Sequence, residues 1–169
     1  MCKLKNYYGV LFSTFIFLVT STQYGCSVKN TSKKITVASA GKIESLDPAR
    51  ANTLKSLQLI SSLGDTLYEL NSDGVLVPKL AESLPFISKD NLKISIKLRE
   101  NILFHDGTPF DSYAMKFTFD RFKRIGTMNY ILGKKIQSIE TPNKNLLVIN
   151  LNTPSSSIQG LLTSINLTP

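Results

Sequence analysis

The sequence predicts a mixed α/β (α+β) fold, and three stretches carry that prediction: a period-two strand at 92–98, an amphipathic helix from Asp111 to about Arg124, and a β-hairpin across 136–151. In the strand, Leu92, Ile94, Ile96 and Leu98 alternate with Lys93, Ser95 and Lys97, so one face is buried and the other meets water. In the helix, Met115, Phe119 and Phe122 fall on one stripe, with Ala114, Phe117, Arg121 and Ile125 beside it, and Asp111 stands where an N-cap belongs. Ile136 to Ile139 and Leu146 to Leu151 flank the turn residues Thr141 to Asn145, which is the pattern of a hairpin. At 169 residues and 42% apolar content, the chain can bury an ordinary core.

The remaining elements follow in chain order. Ile35 to Ala40 (ITVASA) is β-branched and apolar, as a buried first strand would be, and Gly41 to Pro48 breaks the pattern into a loop. From Asn52, Leu54, Leu57 and Ile60 recur at helical spacing, predicting a helix of about a dozen residues that ends at Gly64. Leu67 to Leu70 returns to strand character, Asn71 to Gly74 (NSDG) is a tight-turn signal, and Val75 to Val77 would pair back. After the central strand, His105 to Pro109 (HDGTP) makes a second reversal. Pro154 is expected to open a last short helix through Leu162, with Ser155 to Ser157 capping it rather than binding an anion.

The first 26 residues read as a targeting segment. Lys3 and Lys5 form a positive start, and Tyr7 to Val19 is an apolar run whose helix of roughly 18–20 Å is too short to cross a bilayer, so a signal peptide fits better than a permanent anchor. Thr20 to Gly25 and then Cys26 resemble the lipobox of bacterial lipoproteins, in which the cysteine thiol receives a diacylglyceryl group; Gln23 and Tyr24 depart from that pattern, and ordinary cleavage nearby or an uncleaved anchor are the alternatives. Residues 27–34 (SVKNTSKK) would tether the lipid to a folded body at 35–169. With Cys2 and Cys26 the only cysteines, neither a disulfide framework nor a thiolate metal site is expected, and no cofactor is called for.

The formal charge of +8 falls by two when Lys3 and Lys5 leave with the first segment. The excess is diffuse: Lys33–Lys34, Lys123–Arg124 and Lys134–Lys135 are far apart and no aromatic residues interleave with them, so a solvated basic surface is expected and nucleic-acid binding is not. His105 next to Asp106 invites a catalytic or metal reading, but it is the only histidine, and adjacent residues in a turn point apart. Glu82, Asp106 and Asp111 follow no spacing that brings two carboxylates together for acid–base chemistry. These residues predict a protein that is not an enzyme.

Three ordered segments then carry a family resemblance: Ser45–Leu46–Asp47–Pro48; Pro78 to Ser83 (PKLAES); and Leu98–Arg99 through Phe104 to Phe110 (FHDGTPF) to Phe117–Thr118 and Arg121. In order and spacing they resemble the bacterial extracellular solute-binding proteins of the peptide/nickel-binding family. Leu84 stands where that family commonly has Trp, and Ala114 where it has Asp, which removes the second half of a capping box. The resemblance implies a periplasmic-binding-protein-like fold of two lobes closing on a solute, of which this chain supplies the first part. It also implies capture of an oligopeptide, nickel or another small solute for the permease and ATPase subunits of an ABC importer, at the extracytoplasmic face of a membrane reached through the N-terminal lipid. The solute-contacting residues it suggests are Glu44, Ser45 and Leu46, in the loop after the first strand. Such proteins run to roughly three times this length, several domains' worth of chain.

The C-terminal stretch adds one more expectation. Ile158, Leu161, Leu162, Ile165 and Leu167 make an apolar ending with no charge after Lys144, which as an exposed surface would demand a partner. Either the chain is a fragment or split product of a longer gene, functional or not, or a second chain completes the fold; the competing function is a lipid-anchored structural or interaction module whose apolar end docks another protein.

Overall fold

A computed structural model describes residues 35–169. The expected targeting segment, Cys26 and the expected tether at 27–34 lie outside the described residues. The chain divides into two units, Met1–Ser39 and Ala40–Pro169. In the first, residues 35–39 carry no regular secondary structure, and Ile35 and Val37 are 91% and 84% exposed. The predicted strand at 35–40 is therefore not formed. Apolar β-branched composition expresses a fit to a pleated, half-buried surface, and none of the described strands pairs with these residues.

The second unit is organised by an antiparallel four-stranded sheet. Its strands are β3 (Phe86–Ile87), β4 (Lys93–Lys97), β5 (Ile136–Asn143) and β6 (Leu146–Leu151), in the order β3-β4-β6-β5. The alternation in β4 acts as predicted: Ile94, Ile96 and Leu98 are fully buried while Lys93 and Lys97 face solvent. Register places Ile94 opposite Ile149 and Ile96 opposite Leu147, so two apolar cross-strand pairs, all 0% exposed, meet on the buried face. The predicted hairpin at 136–151 is present, with register shifts in β5 between Ile136 and Ser138 and between Glu140 and Asn143.

The reversal at His105–Pro109 is a tight hydrogen-bonded turn. Phe104 and Thr108 pair through backbone (2.8 Å), and Gly107 sits at φ 85°, a conformation open to glycine. A short helix, Leu54–Ile60 (α1), precedes the sheet in the chain, and the long helix, Ser112–Ile125 (α2), follows this turn. Asp111 caps α2 by accepting from the Tyr113 and Ala114 amides at 3.0 Å each, so the helix starts firmly without the second carboxylate of a capping box. Met115, Phe119 and Phe122 are buried as the stripe predicts, and α2 packs on β5 and β6; Phe117 is 66% exposed.

A smaller hairpin joins β1 (Tyr68–Leu70) to β2 (Leu76–Pro78) through the NSDG turn, with Leu70 opposite Leu76 and Gly74 at φ 75°. Tyr68 is fully buried, and its hydroxyl donates to the Ser83 carbonyl at 3.0 Å; burial pushes the phenol pKa well above its usual value.

Three other expectations are corrected. Helix α1 ends at Ile60 and closes with turns to Leu63, and its stripe is displaced: Leu54 is 68% exposed while Ser56 is buried, because a hydroxyl with hydrogen-bond partners can take an inward position. The last helix, α3 (Ile158–Leu161), is only four residues long and begins after the serines. Ser157 makes no side-chain cap bond, and the buried Ser155 hydroxyl is held by the Lys135 ammonium at 3.3 Å. Most important, the apolar ending is not an exposed surface. Ile158, Leu162 and Leu167 are buried at 1%, 0% and 0%, as a 3-10 turn at Ile165–Leu167 folds back beside Pro48–Arg50 and α1. Burying these side chains removes the apolar area a partner would otherwise have covered.

Candidate functional site

The Gly41–Asp47 loop has no regular structure and runs into a 3-10 turn at Pro48–Arg50. Pro48 supplies the fixed φ that begins such a turn, and the Asp47 carboxylate accepts from the Ala49 amide at 3.1 Å. The loop is fastened to the start of α1 by one buried hydroxyl. Ser56 Oγ accepts from the Glu44 and Ser45 amides at 3.2 and 3.3 Å and from Thr53 Oγ1 at 3.0 Å. Of the three predicted solute-contacting residues, Glu44 and Leu46 present exposed side chains, whereas the Ser45 hydroxyl is turned inward along the loop to accept from the Asp47 amide at 3.1 Å.

Asp47 makes the contact that ties this loop to the helical half. Its two carboxylate oxygens take the two terminal nitrogens of Arg121, on α2, at 2.6 and 2.5 Å, across 74 residues of chain. The paired side chains are only 25% and 30% exposed. This parallel fork is the geometry that guanidinium and carboxylate form best. The Arg121 hydrogen bonds hold the Asp47 carboxyl below its usual range against a smaller opposing effect of burial, and the same bonds raise Arg121. The two directions are opposite, Asp47 down and Arg121 up, and both favour the charged forms.

The ion pair lines a cleft of about 510 Å³, whose walls include Pro48, Phe104, Ala114, Phe117 and Asn166. A second concavity of about 330 Å³ shares Phe104, Thr168 and Pro169 with the first and extends to Leu80 and His105. The segments that carry the family resemblance thus line two neighbouring hollows that share Phe104: Asp47–Pro48 and Arg121 the first, Leu80 and Phe110 the second, while Glu44, Ser45 and Leu46 line neither. The second and third segments are also joined directly, since Ala81 bridges Leu98, the Arg99 amide donates to Leu80 O at 3.0 Å, and Arg99 Nε donates to Ala81 O at 3.2 Å. Asp47 and Arg121 both belong to the segments that carry the resemblance, but nothing in the sequence pairs them. Their presence in two separately matched segments was the only available signal.

The groups considered for chemistry stay apart. Asp106 turns to Thr108, accepting from its amide (2.9 Å) and hydroxyl (2.6 Å), which together lower its pKa. Glu82 pairs with Lys97 at 2.8 Å, and Asp111 is spent on the cap of α2. Among the described residues, no three His, Cys, Asp or Glu side chains are grouped to hold a metal ion. What the described residues offer here is an open, partly apolar surface with one preformed ion pair in its wall.

Comparison with known proteins decides the family. Residues 75–169 match the family described as bacterial extracellular solute-binding proteins, family 5, middle region. The chain belongs to that family. The glutathione-binding protein GsiB of Escherichia coli O1:K1 is 32% identical over 152 residues, covering 89% of this chain and 30% of the relative. Among solved structures, Listeria monocytogenes OppA bound to peptide superposes with a TM-score of 0.72 at 22% identity, over 78% of this chain and 29% of that one. NikZ from Campylobacter jejuni, in complex with Ni(L-His), gives a TM-score of 0.63 at 29% identity, over 74% and 25%. The mixed α/β fold is that of the substrate-binding proteins, and family 5 relatives are binding proteins rather than enzymes. The chain spans about 30% of the length of the curated relatives it matches.

Proposed function

We propose that this chain is the first portion of a solute-capture subunit of an ABC importer, and that its solute is a short peptide handed on to permease and ATPase subunits. The observation that carries the reading is the pair of adjoining concavities that the three family segments line, with Asp47, which follows Glu44, Ser45 and Leu46 in the loop, in the wall of one. Glu44, Ser45 and Leu46 are proposed to meet the solute. Among the described residues, their three carbonyl oxygens accept no hydrogen bond, so they remain open to a peptide's amides, a mode of recognition that tolerates varied side chains. The same subunit would be exported and held at the extracytoplasmic face through lipid on Cys26. The alternative of an interaction module rested on an exposed apolar end, and with Ile158, Leu162 and Leu167 buried that motive is gone.

The test is thermal unfolding of the complete gene product against di- to pentapeptides, with glutathione and a nickel–histidine complex as separate arms. Peptide at a hundredfold excess over its Kd should add about 2.7 kcal/mol of stability and raise Tm accordingly. No rise with any peptide would remove the reading, and a rise with the nickel complex alone would replace the solute. For the anchor, Cys26→Ser should move the protein from the membrane fraction to the soluble fraction.

A further inference from the structure

The turn that follows the candidate solute-contacting loop is held in an unusual way. Pro48, Ala49, Arg50 and Ala51 present four backbone carbonyls, and each receives a hydrogen bond from a distant part of the chain. The Asn166 carboxamide spans the turn, donating from Nδ2 to Pro48 O at 2.6 Å and to Ala51 O at 2.8 Å, across 118 and 115 residues. The Thr127 amide donates to Ala49 O at 3.0 Å, and its hydroxyl reaches Arg50 O at 3.4 Å. Asn166 is itself 5% exposed, so its two bonds are made out of water. At the head of the turn stands the Asp47–Arg121 fork.

A three-residue 3-10 turn has too few internal bonds to fix its own geometry. Here the internal ones are those from the Arg50 and Ala51 amides to Asp47 O. The external bonds therefore decide where the turn sits. Because Glu44 and Ser45 are fastened at the other end by Ser56, the short span between the two anchorages has little freedom left.

We infer that Asn166 and the Asp47–Arg121 pair are positioning residues that lock the 44–51 segment, whose Asp47, Pro48 and Ala49 line the cleft, into one conformation, so that solute meets a preformed surface. The solute half of this inference rests on the proposed function; the lock itself does not. A preformed loop avoids the ordering cost that a mobile one incurs on binding.

Two near-isosteric changes test it. Asn166→Asp keeps the size of the side chain but sets a carboxylate against two carbonyls, and Arg121→Lys keeps the charge but loses the fork. Hydrogen exchange of the unliganded full chain, read by mass spectrometry, should rise about tenfold or more over 44–51 in each variant, the effect of one lost hydrogen bond, with β4 and β6 unchanged. Unaltered exchange at 44–51, or a rise spread evenly over the sheet, would overturn the lock. In the complete gene product, peptide affinity should fall about tenfold while the folded fraction, by circular dichroism, stays that of the wild type. An opened loop with unchanged affinity would refute the positioning role. Should the wild-type protein bind no peptide, the functional reading falls by itself and the lock is decided by exchange alone.

Discussion

The sheet with α2 and the loop-and-turn at 41–51 are built on opposite principles. In the sheet, Ile94, Ile96, Leu147 and Ile149 meet as buried cross-strand pairs, and α2 lays Met115, Phe119 and Phe122 into the same core. Its stability comes from apolar area and tolerates no cavity. The 41–51 segment buries little beyond Ala49 and Ala51, and it is placed by point contacts with Ser56, Arg121, Thr127 and Asn166. The difference teaches that the segment proposed to meet solute draws its order from polar bonds, which fix direction more than they add stability.

The sharpest way to break this contrast is to cut into each side and compare unfolding by denaturant. Phe119→Ala, in the helix–sheet core, should cost about 3–5 kcal/mol. Leu167→Ala should cost about 2–4 kcal/mol, because that side chain is fully buried; a change near zero would mean the C-terminal stretch is surface after all. On the polar side, Arg121→Ala should cost only about 1–2 kcal/mol, discounted for the partial exposure of both partners. Its pH dependence follows from the lowered Asp47 pKa. The pair stabilises the fold fully above the unfolded carboxyl value of 3.8 and loses that contribution as pH falls through the lower folded value. The gap between wild type and Arg121→Ala should therefore be constant from neutrality to about pH 5 and close in stronger acid. Asp111→Ala, which strips the cap from α2, should cost about 1 kcal/mol. His105→Ala, at an exposed turn, should stay within about 0.5 kcal/mol, and a large effect there would mean the side chain helps to hold the turn.

What could be read from the sequence was what local chemistry determines. The alternation from Leu92 to Leu98, the Asp111 cap with its apolar stripe, and the NSDG and HDGTP reversals each specify themselves within a few residues, and all are present. The errors fell where a partner far along the chain decides. Ile35 to Ala40 has strand composition and no described neighbour strand. Leu54 fits a stripe, yet it faces solvent because Ser56 is needed inside to hold the loop. The apolar residues after Ile158 look exposed only while their fold-back onto Pro48–Arg50 is unknown. The candidate site divides in the same way. Residues 44–46 could be named from the family resemblance, whereas the Asp47–Arg121 fork and the Asn166 clamp join residues 74 to 118 positions apart and leave no local trace.

The buried Tyr68 phenol has a further consequence. With six tyrosines and no tryptophan, the chain's near-ultraviolet spectrum is a tyrosine spectrum. In an alkaline titration Tyr68 keeps its proton for as long as its surroundings stay closed. Above about pH 10 the open chain gains an ionisation that the closed one refuses, so base drives opening. A late, slow step in phenolate absorbance would clock the parting of the small hairpin from its core.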